Sequence, residues 1–127
     1  GDVVARKNLF IPFKELDNLQ RRIQRGIGAA FSSYKLPHSH VIHSALKTTI
    51  EIRLPGAEKK NISVDISPSS VNVMTKKLEE SKNGVESVIE YYRRILLPQG
   101  LDVKKAQVNF RKEALKIVIP RKIRNGH

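Results

Sequence analysis

Three histidines, His38, His40 and His43, are the first residues that could do chemistry, because imidazoles close together in sequence can hold a transition metal. A metal centre would also need a fourth ligand and a rigid frame. The stretch from Ser32 to Ser44 is rich in Ser, Pro and His, reads as a linker and supplies neither. Solvated loop histidines are therefore expected. Gly26 and Gly28 make a G-x-G without the third glycine or the preceding strand of a phosphate-binding loop. The acids Glu79, Glu80, Glu86 and Glu90 are interleaved with lysines and arginines, the habit of a solvated face, and no Ser/His/Asp arrangement is legible. The absence of cysteine removes thiol catalysis, cysteine-ligated zinc and disulfides together. No catalytic, metal or cofactor-binding residue is assigned, no cofactor is expected, and the chain reads as an interaction module rather than an enzyme.

The elements that must position any binding surface are bounded by length and charge. A chain of 127 residues fits one domain with room for a short extra segment and can bury a core without staples. The net charge is +12, with seven Lys and Arg against three acids in residues 1–40 and seventeen against nine in 41–127. Basic residues are thus spread through the chain, unlike a nucleic-acid-binding tail. Such a field attracts anions in general, but no specific nucleic-acid partner is expected. No run reaches the ~18–20 apolar residues of a membrane span and no secretory h-region opens the chain. A soluble, cytoplasmic protein is expected. The chain opens on Gly1, not Met, so either terminus can be incomplete.

The hydrophobic period changes once along the chain. Leu16, Leu19, Ile23, Ile27 and Phe31 recur at three- and four-residue steps, which predicts an amphipathic helix with Lys14, Arg21, Arg22 and Arg25 on its other face. That helix either docks its stripe on a neighbour or binds membranes or unfolded chains. After the linker the period drops to two. Strands are predicted over Thr48 to Leu54, Asn61 to Ile66, around Val71 and Val73, Val85 to Leu97, Ala106 to Phe110 and Leu115 to Ile119. Asn83-Gly84 is a hairpin-turn signal. So many short strands without helical patterns between them imply an all-β antiparallel sandwich or barrel. The organisation read from this is an N-terminal arm over residues 1–40, a β-sandwich over 41–122 and a short tail over 123–127.

Three stretches carry a family resemblance. Ile50-Glu51-Ile52-Arg53-Leu54-Pro55-Gly56 followed by Asn61-Ile62-Ser63-Val64 resembles the strand, Leu-Pro-Gly and basic turn of small heat-shock proteins. Tyr91-Tyr92-Arg93-Arg94-Ile95-Leu96-Leu97-Pro98-Gln99-Gly100-Leu101-Asp102 is similar to that family's aromatic-basic strand and its Leu-Pro-x-Gly-Val-Asp ending. Leu115 to Pro120 with Arg121-Lys122 resembles its closing strand, and Pro12 to Asp17 its N-terminal arm. In the right order, the three stretches span residues 46–122.

The resemblance implies an immunoglobulin-like β-sandwich (an α-crystallin domain) that dimerises, assembles further and captures unfolding client proteins without ATP. It implies a client-binding arm (Leu16, Leu19, Ile23, Ile27, Phe31) and a groove for a neighbour's tail, assigned to Ile62, Val64, Ile66 and Val108, which could equally face the core. The chain departs from the pattern in three ways. Glu113-Ala114-Leu115 stands where the family has Gly-Val-Leu, so this turn is expected to differ. The segment from Val73 to Pro98 is short, which favours dimers formed by pairing of one strand (Val88, Glu90, Tyr92, Arg93, Arg94) with its copy, Arg93 lying near the two-fold contact. No Ile-x-Ile follows Pro120, so Leu9 and Ile11 of Leu9-Phe10-Ile11 become the candidate docking segment. Two alternatives share the sandwich or the charge: a CS-type co-chaperone module and a basic nucleic-acid-binding β-domain.

Overall fold

A computed structural model describes residues 2–4, 34–82 and 84–123. The arm residues Leu9, Ile11, Leu16, Leu19, Ile23, Ile27 and Phe31 lie outside the described residues. Among the described residues eight strands form two antiparallel sheets: β1 (Asp2–Val4), β2 (Ser39–His43), β3 (Lys47–Arg53), β4 (Ile62–Ile66), β5 (Ser70–Ser81), β6 (Gly84–Leu96), β7 (Gln107–Arg111) and β8 (Ala114–Pro120). The larger sheet has the order β1-β7-β8-β3-β2 and the smaller the order β4-β5-β6. This is the β-sandwich the alternation predicts. Among the described residues no helix is long and apolar enough to cross a membrane.

Alternation explains which faces meet. Ile50 and Ile52 of β3, Leu115, Ile117 and Ile119 of β8, and Val71 and Val73 of β5 all point inward and are buried in one cluster. Each such side chain removed from water stabilises the fold by roughly 1.5–3 kcal/mol, so truncating several would exceed the stability of an ordinary domain. The registers Ile50↔Ile117 and Ile52↔Leu115 put these apolar residues directly opposite one another. A slip by one residue would turn the whole set to solvent.

The strands differ from the sequence expectation in three places. Ser39 to His43, expected as linker, is an edge strand whose Val41 packs against the core. Its single core-facing apolar residue gives alternation too little to reveal. Residues Lys76 to Ser81, which the predicted strands leave out, continue β5 to the hairpin and pair with Gly84 to Ile89. β4 stops pairing at Thr75, so this ribbon projects beyond its neighbour and can carry charge on both faces. Asp2–Val4, expected as part of the arm, pairs antiparallel with β7 in the register Asp2↔Phe110 and Val4↔Val108.

Two turns fix the paths into β4 and β8. Gly56 has φ 79°, a left-handed conformation that costs glycine nothing, and it ends β3 in the Leu54-Pro55-Gly56 corner. The β7–β8 hairpin instead turns on Lys112 (φ 52°) and Glu113 (φ 63°), both positive although neither is glycine or asparagine. Two positive φ angles define the turn that matches strand twist in a two-residue hairpin. The departure from the family's glycine-bearing sequence therefore keeps a tight turn at the expense of backbone strain.

Candidate functional site

The surfaces through which a sandwich can recognise other chains are its strand edges and any apolar side chains left outside the core. On one side, β6 lies beside β2: Arg93 Nη1 donates to Pro37 O at 3.1 Å, and Lys35 runs along the β6 edge just before β2 begins. That arrangement leaves β4 on the side of β7.

At the β7 edge, the contacts are made by backbone groups. β7 pairs with β8 on one side and accepts β1 on the other, so its outward N–H and C=O groups take up a strand that enters from outside the sandwich. The four residues expected to line a groove here, Ile62, Val64, Ile66 and Val108, are all buried members of the core cluster. They sit behind the edges, between the sheets, and an incoming segment meets the backbone edge before it meets them.

The Leu54-Pro55-Gly56 corner ahead of β4 is held by a polar clamp that composition alone does not reveal. Gly56 N donates to Glu113 Oε2 at 2.8 Å, Leu54 N to the Glu113 carbonyl at 2.8 Å, and Tyr91 Oη to Pro55 O at 2.9 Å. One glutamate on the strained turn and one tyrosine of β6 thereby tie both sheets to this corner. Burial, then the negative charges of Glu90 and Glu113, raise the pKa of the Tyr91 hydroxyl above its ordinary 10.0. It is therefore a neutral donor over the whole physiological range.

At the opposite edge, the expected dimer strand is β6. Its members do not share a face. Arg93 stands opposite core residue Val73, on the same side as Tyr91 and Ile95, whereas Tyr92 pairs with Met74 on the other side. A bulge between Thr75 and Lys76 leaves Glu90 out of register, and Val88 and Ile89 are both buried beside it. Arg94 is exposed. Tyr92 Oη donates to Asn72 Oδ1 at 3.2 Å, and the Tyr34 ring meets the Tyr92 ring edge-on with centroids 5.6 Å apart. The outer edge of β6 is partly used within the chain itself: Lys35 N donates to Glu90 O at 2.8 Å, and Tyr92 N to Lys35 O at 3.1 Å. A copy that pairs with β6 along Glu90 to Tyr92 displaces Lys35.

The histidines take ordinary places on or next to β2. All three are exposed; His40 stands opposite Glu51, and His43 Nδ1 lies 2.9 Å from Thr48 Oγ1. Among the described residues no group of three His, Cys, Asp or Glu side chains is arranged to hold a metal ion.

A sandwich with this strand order, a Leu-Pro-Gly corner leading into an outer strand and a long aromatic-basic strand is the architecture of the α-crystallin domain. The sequence model of the Hsp20/alpha crystallin family matches residues 41–127, more than half of the chain, and the chain belongs to that family. Sequence comparison with curated proteins gives no match. Among solved structures the chain is similar to heat shock protein 16.0 from Schizosaccharomyces pombe, at 16% identity and a TM-score of 0.60, over 90% of this chain and 87% of that one. A small heat-shock protein from Xylella fastidiosa is similar at 17% identity and a TM-score of 0.59, over 75% and 94% of the two chains. Stress-induced protein 1 from Caenorhabditis elegans is similar at 15% identity and a TM-score of 0.56, over 69% and 91%. At these identities the likeness concerns the fold.

Proposed function

We propose that the protein is an ATP-independent holdase that binds unfolding proteins and keeps them from aggregating, without catalysing a reaction. The observation that carries this reading is the β7 edge, which takes up an extended segment as an added strand. Strand addition recognises backbone, so it tolerates clients of many sequences. Family membership supports the same role. Apolar recognition is assigned to the arm stripe Leu16, Leu19, Ile23, Ile27 and Phe31, because exposed apolar surface is what distinguishes an unfolding client from a native protein.

Assembly uses the same edges. The dimer is built on β6 through Val88 to Arg94 and their copies, and a neighbour's segment docks where β7 and β4 flank Ile62, Val64, Ile66 and Val108. Leu9 and Ile11 come soon after β1 in the chain, so one arm supplies both the β7 strand and the candidate plug. The test is light scattering of a thermally unfolding model client with and without the protein, with no nucleotide present. Suppression at near-stoichiometric ratios supports the reading; unchanged client aggregation sinks it.

A further inference from the structure

We propose that the end of the sandwich from which β8 leaves is a docking surface for an acidic polypeptide segment that also carries apolar side chains. Three grooves of about 840, 590 and 440 Å³ adjoin there, sharing Leu46, Lys105, Lys122 and Ile123 along their borders. Their walls hold five bases, Lys47, Lys104, Lys105, Arg121 and Lys122, against the single acid Asp102. Asp102 is already engaged, its carboxylate lying 3.9 Å from Lys105 Nζ. The projecting β5–β6 ribbon, by contrast, sets Lys76, Lys77 and Lys82 against Glu79, Glu80 and Glu86. Positive charge is therefore concentrated at this end and balanced at the ribbon.

This end also exposes apolar surface and is rigidly framed. Leu46 is 78% and Ile123 77% exposed, and both border the largest of the three grooves. Large apolar side chains ringed by cations suit a partner that brings carboxylates and apolar groups together. The frame is made by backbone: Arg121 N donates to Leu46 O at 2.9 Å, Lys122 N to Gly100 O at 2.8 Å and Asp102 N to Pro120 O at 2.8 Å. A surface ordered beforehand loses little entropy on binding. Among the described residues no aromatic side chain lines any of the three grooves, so the stacking platform that single-stranded nucleic acid uses is missing there.

The surface is distinct from the β1-pairing edge of β7, and so stands apart from the holdase reading. It is tested by fluorescence anisotropy on the full chain at ~0.15 M salt, where the screening length is about 8 Å. The probes are a labelled peptide alternating Glu with Leu, the same peptide with Ser for Leu, and a single-stranded oligothymidylate of equal charge. The Glu/Leu peptide binds more tightly than both controls. Replacing Lys104→Glu with Lys122→Glu weakens it about tenfold or more, because close charge complementarity is reversed at the contact. Lys76→Glu with Lys77→Glu leaves it within about twofold, because these lysines lie along β5 from Ser70 by roughly 20 Å at about 3.3 Å per residue, well over the screening length of about 8 Å. Circular dichroism checks folding, and Lys104→Gln with Lys122→Gln is the milder pair should the reversal disturb it. Absent binding, equal loss in the ribbon variant, or a Ser peptide or oligonucleotide that binds as well overturns the proposal.

Discussion

Lys112 and Glu113 concentrate the local strain, and they do so for different returns. A non-glycine residue in the left-handed region loses on the order of 1–2 kcal/mol, and among the described residues the Lys112 side chain has no hydrogen bond or ion pair to offset that cost. Asparagine tolerates the conformation better, so Lys112→Asn raises stability by about 0.5 kcal/mol, read as a higher urea midpoint at unchanged slope. Glu113 is different, because its carboxylate and carbonyl hold Gly56 and Leu54. Tyr91 closes the same corner, and Tyr91→Phe leaves Pro55 O without its donor, a loss of about 1 kcal/mol near neutral pH. Its pH dependence has a definite sign. The folded pKa is raised above 10.0, so between the unfolded and folded values the native state holds the extra proton. The associated stability is complete below pH 10 and drains away as pH rises through the folded pKa. The wild-type advantage over Tyr91→Phe therefore shrinks in alkaline denaturation series. An advantage that stays constant from pH 8 to 11 would show that this hydroxyl does not couple to folding.

Among the elements, strands with several core-facing apolar residues are legible in the sequence, and the short or mostly polar strands β1 and β2 are not. β3, β4 and β8 each place apolar residues at every second position against the core, and alternation finds them within a residue or two. β2 is paired on one side only and contributes Val41 alone, so Ser, His and Pro around it read as linker. β1 has three residues, too few for any period to show. The candidate site sits largely at such edges, which is why alternation names its residues without giving its geometry. Ile62, Val64, Ile66 and Val108 stand out by their spacing, whereas only the fold puts them behind the β4 and β7 edges. The Glu113 clamp joins residues 57 positions apart and leaves no local trace. If β1 protects the β7 edge, removing residues 1–4 exposes it. Amide exchange at Val108 to Phe110 then accelerates, while Ile50 and Ile117 in the centre of the sheet keep their rates. Unchanged exchange at Val108 to Phe110 would mean that β1 is not on that edge in solution.

At the scale of the whole molecule, the charge acts on stability as well as on recognition. A net charge of +12 is carried on a chain whose compact radius of gyration is about 14 Å if it folds as one domain. At 0.01 M ionic strength the screening length is ~30 Å, so every base feels nearly every other, and folding concentrates a repulsion that the expanded chain dilutes. At 0.15 M it falls to ~8 Å, and only neighbours interact. The ion pairs Lys60–Glu58, Lys77–Glu79 and Lys105–Asp102 all have an exposed lysine and span 3.5–3.9 Å. Exposed pairs of this kind contribute roughly 0–1 kcal/mol each and lose part of that in salt. Relief of the net repulsion outweighs that loss, because the bases outnumber the acids two to one. Sodium chloride raised from 0.01 to 0.15 M therefore increases the Tm by a few degrees, the shift that about 1 kcal/mol produces in a domain of this size. Sodium sulfate is unsuitable for the measurement, since it strengthens apolar burial by a separate route. A Tm that falls with sodium chloride would place the balance with the surface pairs, and with it the concentration of positive charge at the β8 end would cease to be a cost of folding.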